Sequence, residues 1–164
     1  MNKYIFLDID GVITTEKSRW RLDKSKLKLL KEIMDKTGAK IVVSSSWRLG
    51  SVEATKKDLS QVSHFQPFPF PFVDDIVGVT VRASNMIIHP DGDREFMIPR
   101  GVEIDNWLRK NVEDYWNEDS YRYVILDDDS DMLLSQKDNF IQTDSLNGLS
   151  RKDVNKAIKI LNGE

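Results

Sequence analysis

The chain has 164 residues, 40% of them apolar and 31% charged, with a net charge of −3; this fits one soluble domain that buries about 70% of its unfolded surface without a metal or disulfide to hold it. It has no cysteine and only two histidines, His64 and His89, which excludes disulfide-linked partners, thiolate zinc sites and cysteine nucleophiles and leaves no histidine pair at zinc-hydrolase spacing. Apolar runs such as Ile41–Val43 are too short to span a bilayer, and Met1-Asn2-Lys3 leads directly into a strand pattern, so the expectation is a cytoplasmic protein with no membrane partner.

In chain order, Tyr4–Ile9 is a short apolar, β-favouring run halted by Asp10-Gly11, which predicts a buried strand ending in a turn. Leu27, Leu30, Ile33 and Met34 recur at helical spacing between Asp23, an N-cap residue type, and Gly38, a C-terminal stop. Ile41–Val43 follows as a second strand, completing a βαβ unit and hence a parallel pair. A weaker helix fits 51–62, and Ile76–Val81 reads as a third strand. Between them, His64–Phe72 holds three prolines among four phenylalanines, a packed loop with apolar anchors. Met86–Ile88 and Glu95–Ile98 flank Asp91-Gly92, so about 84–99 reads as a small inserted hairpin. Ile104, Trp107, Leu108 and Val112 mark a helix starting near Arg100-Gly101, with Trp107 in the core. Tyr123–Leu126 and Phe140–Thr143 are the last strands. Ser150 with Asp153 opens a final helix that buries Val154, Ala157, Ile158 and Leu161. Strands alternating with helices predict a single α/β domain over 1–164, doubly wound around a parallel sheet with helices on both faces, no large cap domain, and its site beyond the carboxyl ends of the strands.

Just past three of those strands stand Asp8-Ile9-Asp10-Gly11, Ser44-Ser45-Ser46-Trp47-Arg48 and Asp127-Asp128-Asp129-Ser130-Asp131. A parallel sheet delivers all three to one crevice. Carboxylates crowded there stay ionised only beside a cation, and an all-oxygen set suits a hard ion such as magnesium. Magnesium with hydroxyls and one cationic side chain is the equipment of phosphoryl transfer. Taken alone, Asp-x-Asp-Gly after a strand is a capped turn, and only the three segments together favour chemistry. The acidic run lacks the glycine of a calcium loop, and the serines lack a nucleophile elbow.

These segments, in this order, resemble the motifs of the haloacid dehalogenase (HAD) superfamily: Phe6–Val12 its first, Val42-Val43-Ser44 its second and Leu126-Asp127-Asp128 its fourth. More narrowly, Ser44–Arg48, Arg100–Ile104 ahead of Trp107-Leu108, and Thr143-Asp144 followed by Gly148-Leu149-Ser150 are similar to the phosphatase-like domain of Swiss Army knife RNA repair proteins. The resemblance runs from about residue 4 to 155. It implies Asp8 as nucleophile, forming an aspartyl-phosphate, and Asp10 as the acid that protonates the leaving oxygen and later activates water. It also implies Ser44, or its neighbour Ser45, and Arg100 as phosphate ligands. Magnesium would be held by Asp8, Asp127, Asp128 and the backbone carbonyl of Asp10, with the acidic run leaving open which of Asp127, Asp128 and Asp131 touches it.

The function expected is a magnesium-dependent phosphomonoesterase acting on phosphorylated nucleic-acid ends. A nucleotide or small-metabolite phosphatase, or a module that binds phosphorylated ends without turnover, are the alternatives. Residues 1–48 carry eleven Lys/Arg against six Asp/Glu, while 49–164 carry thirteen against twenty-one. That basic third could attract a polyanion, although Lys24, Lys26, Lys28 and Lys31 also suit the wet face of a helix. Arg19, Arg21 and Arg48, and the carboxylate Asp131, are the expected substrate contacts at the crevice rim.

Overall fold

The computed structural model describes residues 1–82, 84–89, 92–117 and 119–164, with backbone only for 84–89 and 92–97. Among the described residues, seven strands and four α-helices follow one another as β1 (Asn2–Leu7), α1 (Lys24–Thr37), β2 (Lys40–Val43), α2 (Val52–Leu59), β3 (Ile76–Val79), β4 (Ser84–His89), β5 (Gly92–Met97), α3 (Arg100–Asn111), β6 (Tyr121–Asp127), β7 (Phe140–Gln142) and α4 (Arg151–Asn162). Five strands form a sheet in the order β3-β2-β1-β6-β7, parallel throughout. This is the doubly wound α/β architecture expected. β4 and β5 pair antiparallel as the predicted hairpin, whose expected turn residue Asp91 lies outside the described residues, as does the side chain of His89.

Local signals explain the helix ends. Asp23 caps α1 by accepting from the Ser25 N–H, Gly38 stops it in the left-handed conformation, and Ser150 and Asp153 form a capping box on α4. The middle strands are apolar on both faces because both faces are covered. Ile5, Leu7, Ile41, Val43, Val124 and Leu126 point toward α1 and α4, joining Leu30, Ile33, Val154 and Leu161 in the larger core. Tyr4, Phe6, Val42 and Ile125 point the other way, toward Ile104, Trp107 and Leu108 of α3. Trp107 packs edge-on against Tyr4 and Phe6 at 5.2 and 5.4 Å. In the proline-rich loop Phe70 is buried, and Phe68 and Phe72 pack against the core, but Phe65 is exposed beside the exposed His64.

α2 and β3 end two or more residues before their patterns suggest. α2 stops at Leu59 rather than at 62, where the chain turns so that Phe70 N–H reaches the Leu59 carbonyl. β3 stops at Val79 rather than Val81, which makes Thr80 the first residue past that strand.

Candidate active site

The pairing register sets the site. Leu7 is opposite both Val43 and Leu126, and Val43 is opposite Val79. One residue further on, Asp8 N–H donates to Leu126 O, Ser44 N–H to Leu7 O and Thr80 N–H to Val43 O at 2.9–3.0 Å. Thr80, Ser44, Asp8 and Asp127 therefore form a row across four adjacent strands, and the alternation of strand side chains turns all four toward the α3 face. Arg100, the first residue of α3, reaches the same place: its Nε lies 4.0 Å from Asp127 Oδ2.

Oxygens of Asp8, Asp127 and Asp128 lie within 4.8 Å of one another. Asp128 comes this close because residue 11 is glycine: a Cβ there would lie 2.2 Å from the Asp128 Cγ, and the backbone has φ +72°. Burial raises the Asp127 carboxyl to about 8, aided by the Asp8 charge and opposed by Arg100. Asp8 is raised to about 6, again chiefly by burial, with Arg100, a hydrogen bond from Ser45 and the Ile9 N–H pulling it down. Asp128 is raised by burial as well. Such a cluster is unsaturated. Among the described residues, four buried side-chain atoms have no hydrogen-bond partner, namely Ser44 Oγ, Thr80 Oγ1, Arg100 Nη1 and Asp127 Oδ2. All four belong to the row or to the arginine beside it. Buried polar atoms are nearly always satisfied, so this concentration marks a place prepared for a polar ligand. Three crowded carboxylate oxygens fit a hard divalent cation, while an arginine and hydroxyls fit an anion.

The Asp10 carboxylate stands apart from the cluster. Its Oδ1 accepts from Thr14 Oγ1 at 2.7 Å and its Oδ2 from the Trp47 indole at 2.9 Å. Ser44 and Ser45 are both fully buried but differ: Ser45 bonds the Asp8 carboxylate, whereas Ser44 Oγ is unpartnered.

Arg48 and Asp131, expected as substrate contacts, each have partners within the fold. Arg48 turns inward and is 4% exposed at its side chain, donating to the Ser44, Ser45 and Thr80 carbonyls and pairing with Glu103. A buried carboxylate and three strand-end carbonyls outcompete solvent for its guanidinium. Asp131 caps α3: its Oδ2 accepts the Arg100 N–H at 2.8 Å and its carbonyl the Gly101 N–H at 3.2 Å. Pro99 offers that helix no side-chain cap, so a distant carboxylate supplies one. Arg19 and Arg21 are exposed on the loop after β1, outside the carboxylate cluster. Arg19 and Trp20 have φ of +56° and +57°, a strained pair at a loop tip.

Sequence reading missed Thr80, Thr14, Trp47 and Glu103. Thr80 was findable by the same rule that located Ser44, had the strand end been placed correctly. No local signal pairs Trp47 with Asp10 or Arg48 with Glu103.

A family model described as the HAD domain in Swiss Army Knife RNA repair proteins matches residues 4–154. No curated protein and no solved structure matches the chain. Among the described residues no helix is long and apolar enough to cross a membrane.

Proposed function

Because the chain belongs to the family of HAD domains in Swiss Army Knife RNA repair proteins, a family whose general chemistry is phosphate-ester hydrolysis, we propose that it is a magnesium-dependent phosphomonoesterase acting on phosphorylated nucleic-acid ends. One observation carries this reading: Asp8 stands in register between Ser44 and Asp127, beneath Arg100, and each of those three neighbours bears a buried polar atom without a partner.

Bound by Asp8, Asp127, Asp128 and the Asp10 carbonyl, magnesium would supply the positive charge that keeps these carboxylates ionised and offsets charge on the phosphoryl oxygens. Ser44 Oγ and Arg100 Nη1 hold the remaining phosphoryl oxygens, which orients phosphorus toward Asp8. An Asp8 oxygen attacks phosphorus while the ester P–O bond breaks. The leaving oxygen takes its proton from Asp10, whose carboxyl is oriented by Thr14 and Trp47. Asp10, now ionised, takes a proton from water as that water attacks the aspartyl-phosphate. Inorganic phosphate leaves and Asp8 is regenerated. Among the described residues only the small hairpin β4–β5 is inserted between β3 and α3, an arrangement that supports access for a polymeric end, with the exposed Arg19 and Arg21 as contacts to its upstream phosphates.

The test is a substrate panel with magnesium and with chelator, comparing 3′- and 5′-phosphorylated RNA and DNA oligonucleotides with mononucleotides and sugar phosphates. The reading expects magnesium-dependent phosphate release with an oligonucleotide preferred. Preference for a mononucleotide or sugar phosphate returns the small-metabolite alternative, and tight end binding without release makes the protein a recognition module.

A further inference from the structure

Arg48 and Glu103 form an ion pair in which each side chain is 4% exposed. Taking both charges out of water carries a large desolvation cost, and an apolar pair of similar volume is often as stable. Stability alone gives little reason for it. Its contacts suggest another. Arg48 Nη1 donates to the carbonyls of Ser44 and Ser45 at 2.9 and 2.6 Å, and Nε to the Thr80 carbonyl at 2.9 Å. One planar guanidinium thus fixes the ends of β2 and β3, where Ser44 and Thr80 carry their unpartnered hydroxyls. Its remaining arm, Nη2, reaches Glu103, one helical turn beyond Arg100 on the same side of α3. Asp131 grips the first turn of that helix from beyond β6, as described above, so Arg100 lies between two anchors that together set the helix position.

We propose that the Arg48–Glu103 pair is a positioning device that holds Ser44 and Arg100 at the separation one phosphoryl group requires. The proposal rests on the phosphatase reading. Neither residue touches substrate. Arg48 acts through the Ser44 backbone and Glu103 through the first turn of α3.

Three variants of the full chain test it, read by KM for p-nitrophenyl phosphate, competitive inhibition by inorganic phosphate, kcat and melting temperature. Arg48→Met with Glu103→Leu removes both charges together, leaving local net charge unchanged and the space apolar. Arg48→Lys keeps the charge but cannot span three carbonyls and a carboxylate. Glu103→Gln keeps an accepting oxygen for Arg48 and serves as the conservative rescue. KM and the phosphate Ki should rise together by about tenfold in the first two, with kcat changed less than about threefold; the melting temperature should fall, because the Ser44 and Thr80 carbonyls lose their donor, while the far-UV circular dichroism stays that of the folded wild type. Glu103→Gln should stay within about twofold of wild type in both constants. Wild-type phosphate affinity in either of the first two variants would reduce the pair to a structural element and overturn the proposal. A loss in Glu103→Gln equal to that in the double variant would do the same. If the wild-type protein releases no phosphate from p-nitrophenyl phosphate, the phosphatase reading fails and this inference with it; equal KM and equal competition by phosphate in wild type and variants sink the inference alone.

Discussion

Asp8 and Asp127 stand side by side on adjacent parallel strands, one residue past a matched Leu7–Leu126 pair, and the charge of Asp8 helps raise the Asp127 carboxyl. Two buried carboxyls in register oppose folding once both are ionised. In the unfolded chain they titrate near 3.8, whereas in the folded, metal-free protein they keep protons to about 6 and about 8. The folded state then binds more protons than the unfolded one across this window, so stability should fall as pH rises from about 4 to 8. Chemical denaturation in chelator, compared with Asp127→Asn, checks this. The slope should flatten in the variant, and an unchanged slope would mean that the carboxyl pair is not its source.

Magnesium binds the ionised form, so its stabilising effect should be largest at the upper end of that range. It should raise the melting temperature of the wild type at pH 8 more than at pH 5, and much less in Asp127→Asn with Asp128→Asn. An equal rise in both proteins at both pH values would place the metal elsewhere.

Gly11→Ala should be more damaging than an exposed turn substitution. The new Cβ would enter the space of the Asp128 carboxylate and would also occupy a left-handed conformation, at a cost of roughly 1–2 kcal/mol from the backbone alone. Magnesium affinity, measured by thermal shift, should fall along with stability. A variant with wild-type magnesium response would show that Asp128 need not approach the turn.

How much of this was legible in the sequence depends on how local each signal is. Asp23, Gly38, Ser150 and Asp153 act within a turn of their own position, and the structure uses each as the pattern implied. The strand-end segments holding Asp8, Ser44 and Asp127 were legible because parallel topology gathers strand ends on one edge. Inward-turning charge was not: Arg48 resembles a rim cation until Glu103, fifty-five positions away, is seen to face it. Asp131 likewise belongs to an acidic run by sequence and to the start of α3 in space.

Trp47→Phe keeps an aromatic ring but deletes the N–H that holds Asp10 Oδ2. Hydrolysis of an alkyl phosphate should slow by about tenfold while p-nitrophenyl phosphate, whose leaving group needs little protonation, is nearly unaffected. Equal losses on both would remove Trp47 from any part in leaving-group protonation.

Arg19→Ala with Arg21→Ala should lower kcat/KM for a phosphorylated oligonucleotide and flatten its dependence on salt by up to about two charges, leaving a mononucleotide unchanged. Equal loss on both substrates would favour the small-metabolite reading.

The most direct measurement is of the covalent step. After rapid mixing with p-nitrophenyl phosphate and magnesium and an acid quench, peptide mass spectrometry should find one phosphoryl group on the peptide containing Asp8, absent with chelator and absent in Asp8→Asn, which should stay folded but release no phosphate. Phosphate release by Asp8→Asn at the wild-type rate, or turnover with the phosphoryl group on another residue, would contradict the account.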